Sequence, residues 1–126
     1  MDKTRLRTHL EVKGDRLLVR PEGRLDESTR ALFQQALGAA MNPELPLLVD
    51  LSRVSYLDSH GARALLEAAT RHSHEELELV GNAAIVARVL SLVSDSGYSW
   101  YEVKAPSRRP DAPSPLLDLR PSAAAA

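Results

Sequence analysis

Apolar positions along the 126-residue chain change period several times, and each change predicts an element. Leu6 to Val12 alternates weakly and Arg16 to Arg20 is short and apolar, with Gly14-Asp15 between them. A Gly-Asp pair between two such runs predicts a hairpin of antiparallel strands. Leu32, Phe33, Ala36, Leu37 and Ala40 then recur at the steps of one helical stripe. Asp26 or Ser28 is placed to accept from the first amides of that helix, and Asn42-Pro43 ends it. Leu47 to Leu51 is a compact apolar run, which predicts a strand covered on both faces. Helical spacing returns in residues 61–72 (GARALLEAATRH), and Leu77 to Val80 predicts another strand. Asn82 suits the cap of a third helix whose stripe is Ile85, Val86, Val89, Leu90 and Val93, and Gly97 suits its end. Trp100 to Val103 predicts a last, edge strand. The order β-β-α-β-α-β-α-β predicts an α/β domain, an open mixed sheet of about five strands packed by three to four helices.

Composition shifts after residue 104. Five of the eight prolines lie from Pro106 onward, and each removes a backbone donor and restricts its predecessor. The chain therefore divides into a domain over residues 1–104 and a disordered Pro/Ala-rich tail over 105–126 that folding does not need. Within the tail, Leu116, Leu117 and Leu119 read either as a short docking motif or as stray leucines in a linker, and the composition favours the linker.

Charge and residue types narrow the function. Sixteen Lys and Arg against 17 Asp and Glu leave a formal charge of -1, with no basic block to neutralise a phosphate backbone, so direct nucleic-acid binding is disfavoured. No cysteine is present, which excludes disulfides, thiolate metal sites and a cysteine nucleophile. No signal-peptide stretch or membrane-length apolar run occurs, and a cytoplasmic, monomeric protein is expected. Neither a phosphate-cradling glycine loop nor a G-x-S-x-G elbow is found, so no cofactor is expected. His72 and His74 stand two apart, and on a helix they diverge, so a solvated helix end is expected there rather than a metal site.

The informative stretch is Tyr56-Leu57-Asp58-Ser59-His60-Gly61, where a buried strand hands over to a helix. Unpaired amides and the positive end of the helix dipole converge on Ser59 at that junction. Ser59 suits two roles there: an N-cap, or a phosphoacceptor at an anion-favouring helix start. A hydrolytic triad is disfavoured, because His60 is adjacent in sequence and poorly placed to serve as its base.

LLVDLSRVSYLDSHGARALLEA, over residues 47–68, resembles the central signature of the STAS domain (sulfate transporter and anti-sigma factor antagonist). In that signature a hydrophobic strand ending in Asp-Leu leads to Asp-Ser-x-Gly. EGRLDESTRALFQQAL is similar to the family's Gly-x-Leu-Asp and first helix, and LELVGNAAIVARVLSLVSDSGY to its later strand, asparagine and helix. The resemblance spans residues 6–104 and implies the STAS fold.

Its bacterial antagonist branch implies a non-enzymatic switch. The unphosphorylated protein binds an anti-sigma factor and so releases a sigma factor. A serine kinase, usually that anti-sigma factor, phosphorylates the antagonist, and a serine phosphatase resets it. By motif position Ser59 matches the phosphorylated serine, Asp58 the aspartate before it, and Asp26 the aspartate of Gly-x-Leu-Asp, with Asp26 and Asp58 near Ser59 at one end of the sheet. Gly61 keeps its place, so close backbone approach at the helix start is retained. Three positions depart from the family pattern: His60 replaces a frequent second serine, Ala62 a large apolar residue and Arg63 a small one. Arg63 stands four residues after Ser59 and four before Glu67, within reach of a phosphate or of Glu67, and the Glu67 pair is the simpler expectation. The other reading the family allows is a non-switching STAS subunit docked on the ATPase of a lipid-transport complex.

Overall fold

The computed structural model describes residues 6–40, 45–71, 76–103 and 114–121. Strands β1 (Arg7–Lys13) and β2 (Arg16–Leu25) open the chain as the expected antiparallel hairpin, in register from Arg7↔Glu22 to Lys13↔Arg16. Gly14 takes φ +63° at the turn, a left-handed value that glycine adopts without strain. After them come α1 (Arg30–Ala40), β3 (Leu47–Asp50), β4 (Val54–Leu57) and α2 (Ser59–Arg71). β5 (Glu76–Val80), α3 (Ala83–Asp95), β6 (Tyr98–Val103) and β7 (Ser114–Pro121) complete the described chain.

The sheet is mixed and open, in the order β1-β2-β3-β5-β7-β6, with β4 pairing β2 off this path. β2, β3 and β5 are parallel, while β1 and β7 run antiparallel to their neighbours. β3 takes the first half of β2, at Leu17, Leu18 and Val19, and β4 takes the second half beyond an irregularity at Gly23/Arg24. The α/β class and the STAS-like arrangement hold, but seven strands stand where about five were expected. β4 and β7 are the additions, and β6 is the edge strand that the pattern predicted.

One face of the sheet carries the core. Leu17 and Val19 of β2, Leu47 and Val49 of β3, Leu77 and Leu79 of β5 and Leu117 of β7 lie in register and pack with Phe33, Leu37, Leu65, Val89 and Val93 of the helices. With a single phenylalanine in the chain, aliphatic packing supplies most of this burial. β3 alternates buried and half-buried residues, so it is not covered on both faces as its composition predicted. The opposite face carries buried Leu18 between polar contacts: Arg16 pairs with Glu78, and Arg20 Nε donates to Asp50 Oδ2 at 3.2 Å.

The disordered-tail expectation fails over Ser114–Pro121. That segment is an interior strand, paired antiparallel with β5 through Leu117↔Leu77 and with β6 through Leu117↔Trp100. Leu117 is fully buried and Leu119 nearly so, with Asp118 between them half-buried. Leu117 and Leu119 are therefore core residues rather than a docking motif or a linker, and Leu116 is half-buried. A period-two pattern inside Pro-Leu-Leu-Asp-Leu-Arg-Pro was hidden by its two prolines, which fall near the strand ends, where a missing amide is tolerated best. Residues 105–113 and 122–126, the remainder of the expected tail, lie outside the described residues.

Candidate functional site

Parallel pairing of β2 with β4 builds the site. Leu25 stands opposite Leu57, so the residues that follow, Asp26 and Asp58, leave the two strands side by side. The Asp58 amide donates back to the Leu25 carbonyl at 3.4 Å and ties the two strand ends together. The carboxyl ends of parallel strands are where open α/β sheets place their binding loops.

Asp26 is buried, at 8% exposure, and its carboxylate is fully engaged. Oδ1 accepts from the Ser28 amide at 3.0 Å and the Ser28 hydroxyl at 2.7 Å, and Oδ2 accepts from Arg24 Nε at 3.2 Å. Arg24 in turn lies over the Tyr56 ring, 4.4 Å from its centroid, a cation–π contact that holds the guanidinium in place. Ser28 hydrogen bonding, helped by Arg24, outweighs burial and holds the Asp26 carboxyl below its ordinary range. The expected helix-capping role is not the one found. Asp26 closes the turn before α1, and the first amide bond of the helix runs from Phe33 to the Thr29 carbonyl at 3.1 Å. Thr29 also accepts from the Asp26 amide at 3.1 Å and donates to the Arg24 carbonyl at 2.7 Å.

At the start of α2 it is Asp58, not Ser59, that caps the helix. Asp58 Oδ1 accepts from the Gly61 amide at 3.0 Å, and its carbonyl accepts from the Ala62 amide at 3.0 Å. Ser59 is the first residue of the helix, exposed, and its hydroxyl has no hydrogen-bond partner among the described residues. Gly61 is required by contact: a Cβ there would stand 2.0 Å from the Leu25 carbonyl oxygen. The bare backbone at Gly61 thus lets α2 start directly against the end of β2. His60 Nε2 lies 3.9 Å from Glu27 Oε2, a loose and exposed link between α2 and the Asp26 turn.

Arg63 sits one turn into α2 and, with Ser59, Ala62 and Leu66, lines a groove of about 490 Å³ whose far wall is Leu92 and Asp95 of α3. The expected Arg63–Glu67 pair is absent, and Glu67 Oε1 accepts from Gln34 Nε2 of α1 at 2.9 Å. Arg63 has no ion pair or hydrogen bond among the described residues. One site residue escaped the sequence reading altogether. Arg88 of α3 donates from Nε to the Leu57 carbonyl at 2.6 Å, two residues before Ser59. Nothing local in the sequence marks that contact, which spans 31 positions. Arg24 did carry a signal, since residues two apart on a strand share a face with the aspartate that follows.

No three His, Asp or Glu side chains converge as a metal site among the described residues, and His72 and His74 lie outside them. No helix among the described residues is long and apolar enough to cross a membrane.

An open mixed sheet, helices on its inner face and an Asp-Ser-x-Gly turn opening the second helix define a STAS-type domain. The sequence model of the family described as Mlab, STAS domain matches residues 8–95, and the chain belongs to the STAS-domain family. Among solved structures, an anti-sigma factor antagonist from Mycobacterium paratuberculosis shares the fold with a TM-score of 0.59 and 24% identity, over 72% of this chain and 80% of that one. The STAS domain of an antisigma-factor antagonist from Rhodobacter sphaeroides matches 64% of this chain and 88% of its own at 21% identity, with a TM-score of 0.47. No curated protein matches the chain.

Proposed function

We propose that this STAS domain is an anti-sigma factor antagonist, a binding module and not an enzyme, whose docking is switched by phosphorylation of Ser59. Unphosphorylated, it binds an anti-sigma factor with serine kinase activity in the cytoplasm and releases the sigma factor. In the transfer step Ser59 Oγ attacks the γ-phosphorus of kinase-bound ATP. The new O–P bond forms as the bond to the ADP oxygen breaks, and the hydroxyl proton leaves to a base on the kinase or to water. A serine phosphatase hydrolyses the ester and resets the protein.

The observation that carries this reading is the division of labour at the start of α2. Asp58 supplies the cap, so the exposed Ser59 hydroxyl is left without a structural task. A phosphate there adds about -1.5 to -2 charges. At a docked face ~1.4 kcal/mol is already tenfold in affinity, so a local change of charge and bulk suffices to end binding without rearranging the sheet. Asp26, held ionised beside the same strand end, supplies charge for kinase recognition.

The match is to the STAS family at large, and a second reading within it is a subunit that docks an ATPase of a lipid-transport complex without covalent modification. Two experiments separate the readings. Recovery of a kinase-fold partner from cells supports the switch, and recovery of an ABC-type ATPase supports the subunit. Against a purified anti-sigma partner, Ser59→Ala is expected to bind persistently and resist phosphorylation, and Ser59→Asp to bind at least tenfold more weakly while remaining folded. Equal affinity of both variants and of the phosphorylated protein overturns the switch.

A further inference from the structure

Resting on the reading of Ser59 as a phosphoacceptor, we propose that Arg63 is a built-in counter-ion for the Ser59 phosphate, so that the modified helix end is held by its own chain. Ser59 and Arg63 line the same wall of the α2–α3 groove. Residues four apart on a helix have Cβ atoms about 5–6 Å apart, and helical side chains lean toward the N-terminus. At that spacing Arg63 is within reach of the turn that holds Ser59. Sequence order agrees, since an acidic group placed four residues before a basic one is the favourable arrangement and the reverse is the weaker one.

Arg63 has no ion pair or hydrogen bond among the described residues, and Glu67, its other neighbour at this spacing, accepts from Gln34 of α1 instead. Arg88 of α3 is committed elsewhere, its Nε donating to the Leu57 carbonyl at 2.6 Å. The remaining charged groups of this region are Arg24 paired with Asp26, Glu27 on the turn before α1, Asp58 and His60 beside Ser59, Glu67 further along α2 and Asp95 on α3. Asp26 and Asp58 are already engaged by donors of their own, so Arg63 is the uncommitted cation on the face of α2 that would carry the phosphate.

A doubly charged phosphate gains more from a cation than a singly charged one does, so Arg63 lowers the second ionisation of the ester, ordinarily near ~6. The test uses the full chain with phosphoserine incorporated at position 59 during translation, which needs neither kinase nor partner. Phosphorus NMR titration of this protein is expected to give a second ionisation at least about half a unit below that of the same protein carrying Arg63→Gln. Arg63→Lys, which keeps the charge, is expected to retain most of the difference, and circular dichroism establishes that each variant is folded. Equal midpoints for the phosphorylated parent and Arg63→Gln overturn the proposal. That outcome would leave the switch standing, because partner affinity is measured separately. Equal partner affinities would remove the switch without changing the titration.

Discussion

Single residues at the strand ends carry distinct structural roles, and these separate by experiment. Asp58 spends one carboxylate oxygen on the Gly61 amide, so Asp58→Ala should cost about 0.5–2 kcal/mol, read as a lower urea midpoint, whereas Ser59→Ala should leave stability nearly unchanged. The same cost for both variants would return the cap to Ser59. Asp26 is held ionised by Ser28 and Arg24, so its carboxyl titrates lower in the folded protein than in the unfolded chain, where ~3.9 is ordinary. The stability this confers is fully present above about pH 4 and is lost as pH falls through the lower folded value. At Asp50, burial pushes the carboxyl up, but the Ser52 amide and hydroxyl and the Arg20 guanidinium outweigh it, so the same direction applies. Thermal melts between pH 7 and 3 should therefore show a smaller acid loss in Asp26→Asn than in the parent protein. An unchanged acid slope in that variant would remove Asp26 from the linkage.

Elements meet at this site through one close approach. α2 begins against the backbone of β2, and the space between them admits no side chain at Gly61. Gly61→Ala gains helix propensity, yet its methyl must displace the Leu25 carbonyl, which cannot swing away as a flexible side chain could. A loss of roughly 3 kcal/mol or more is expected, since overpacking against backbone is at the costly end of its range. If Gly61→Ala instead matches or exceeds the parent's denaturation midpoint, α2 does not start where the structure puts it. Gly38 offers the contrast within one fold. Nothing stands near its missing Cβ in α1, so Gly38→Ala should be neutral or stabilising by up to ~1 kcal/mol.

At the scale of the molecule the decisive feature is β7. It joins β5 to β6, so among the described residues the edge strand with Trp100 meets the rest of the sheet through β7 alone. A chain truncated after residue 113 should lose cooperative unfolding, and Leu117→Ala alone should cost about 2–5 kcal/mol. A truncated chain that still melts in one sharp transition would restore the shorter domain that composition predicted. Ser59 lies at the strand-end side of this core and is exposed, so the phosphorylation proposed there would leave the sheet unchanged.

Local pattern determined the elements whose signals are local. The Gly14 hairpin, the helical stripes of α1 and α3, the Asn82 cap and the Asp-Ser-x-Gly turn were all legible, because period and capping are properties of neighbouring residues. Asn82 Oδ1 accepts from the Ala84 and Ile85 amides as its position predicted. Only the tertiary structure decided which strands are neighbours and which side chains find partners. The insertion of β7 between β5 and β6, the second partner of β2, the Gln34–Glu67 bond and the reach of Arg88 to Leu57 all join residues far apart in the chain. Each depends on burial and pairing reached after collapse. A proline-rich segment whose leucines alternate reads as a tail until a sheet supplies the edge it completes.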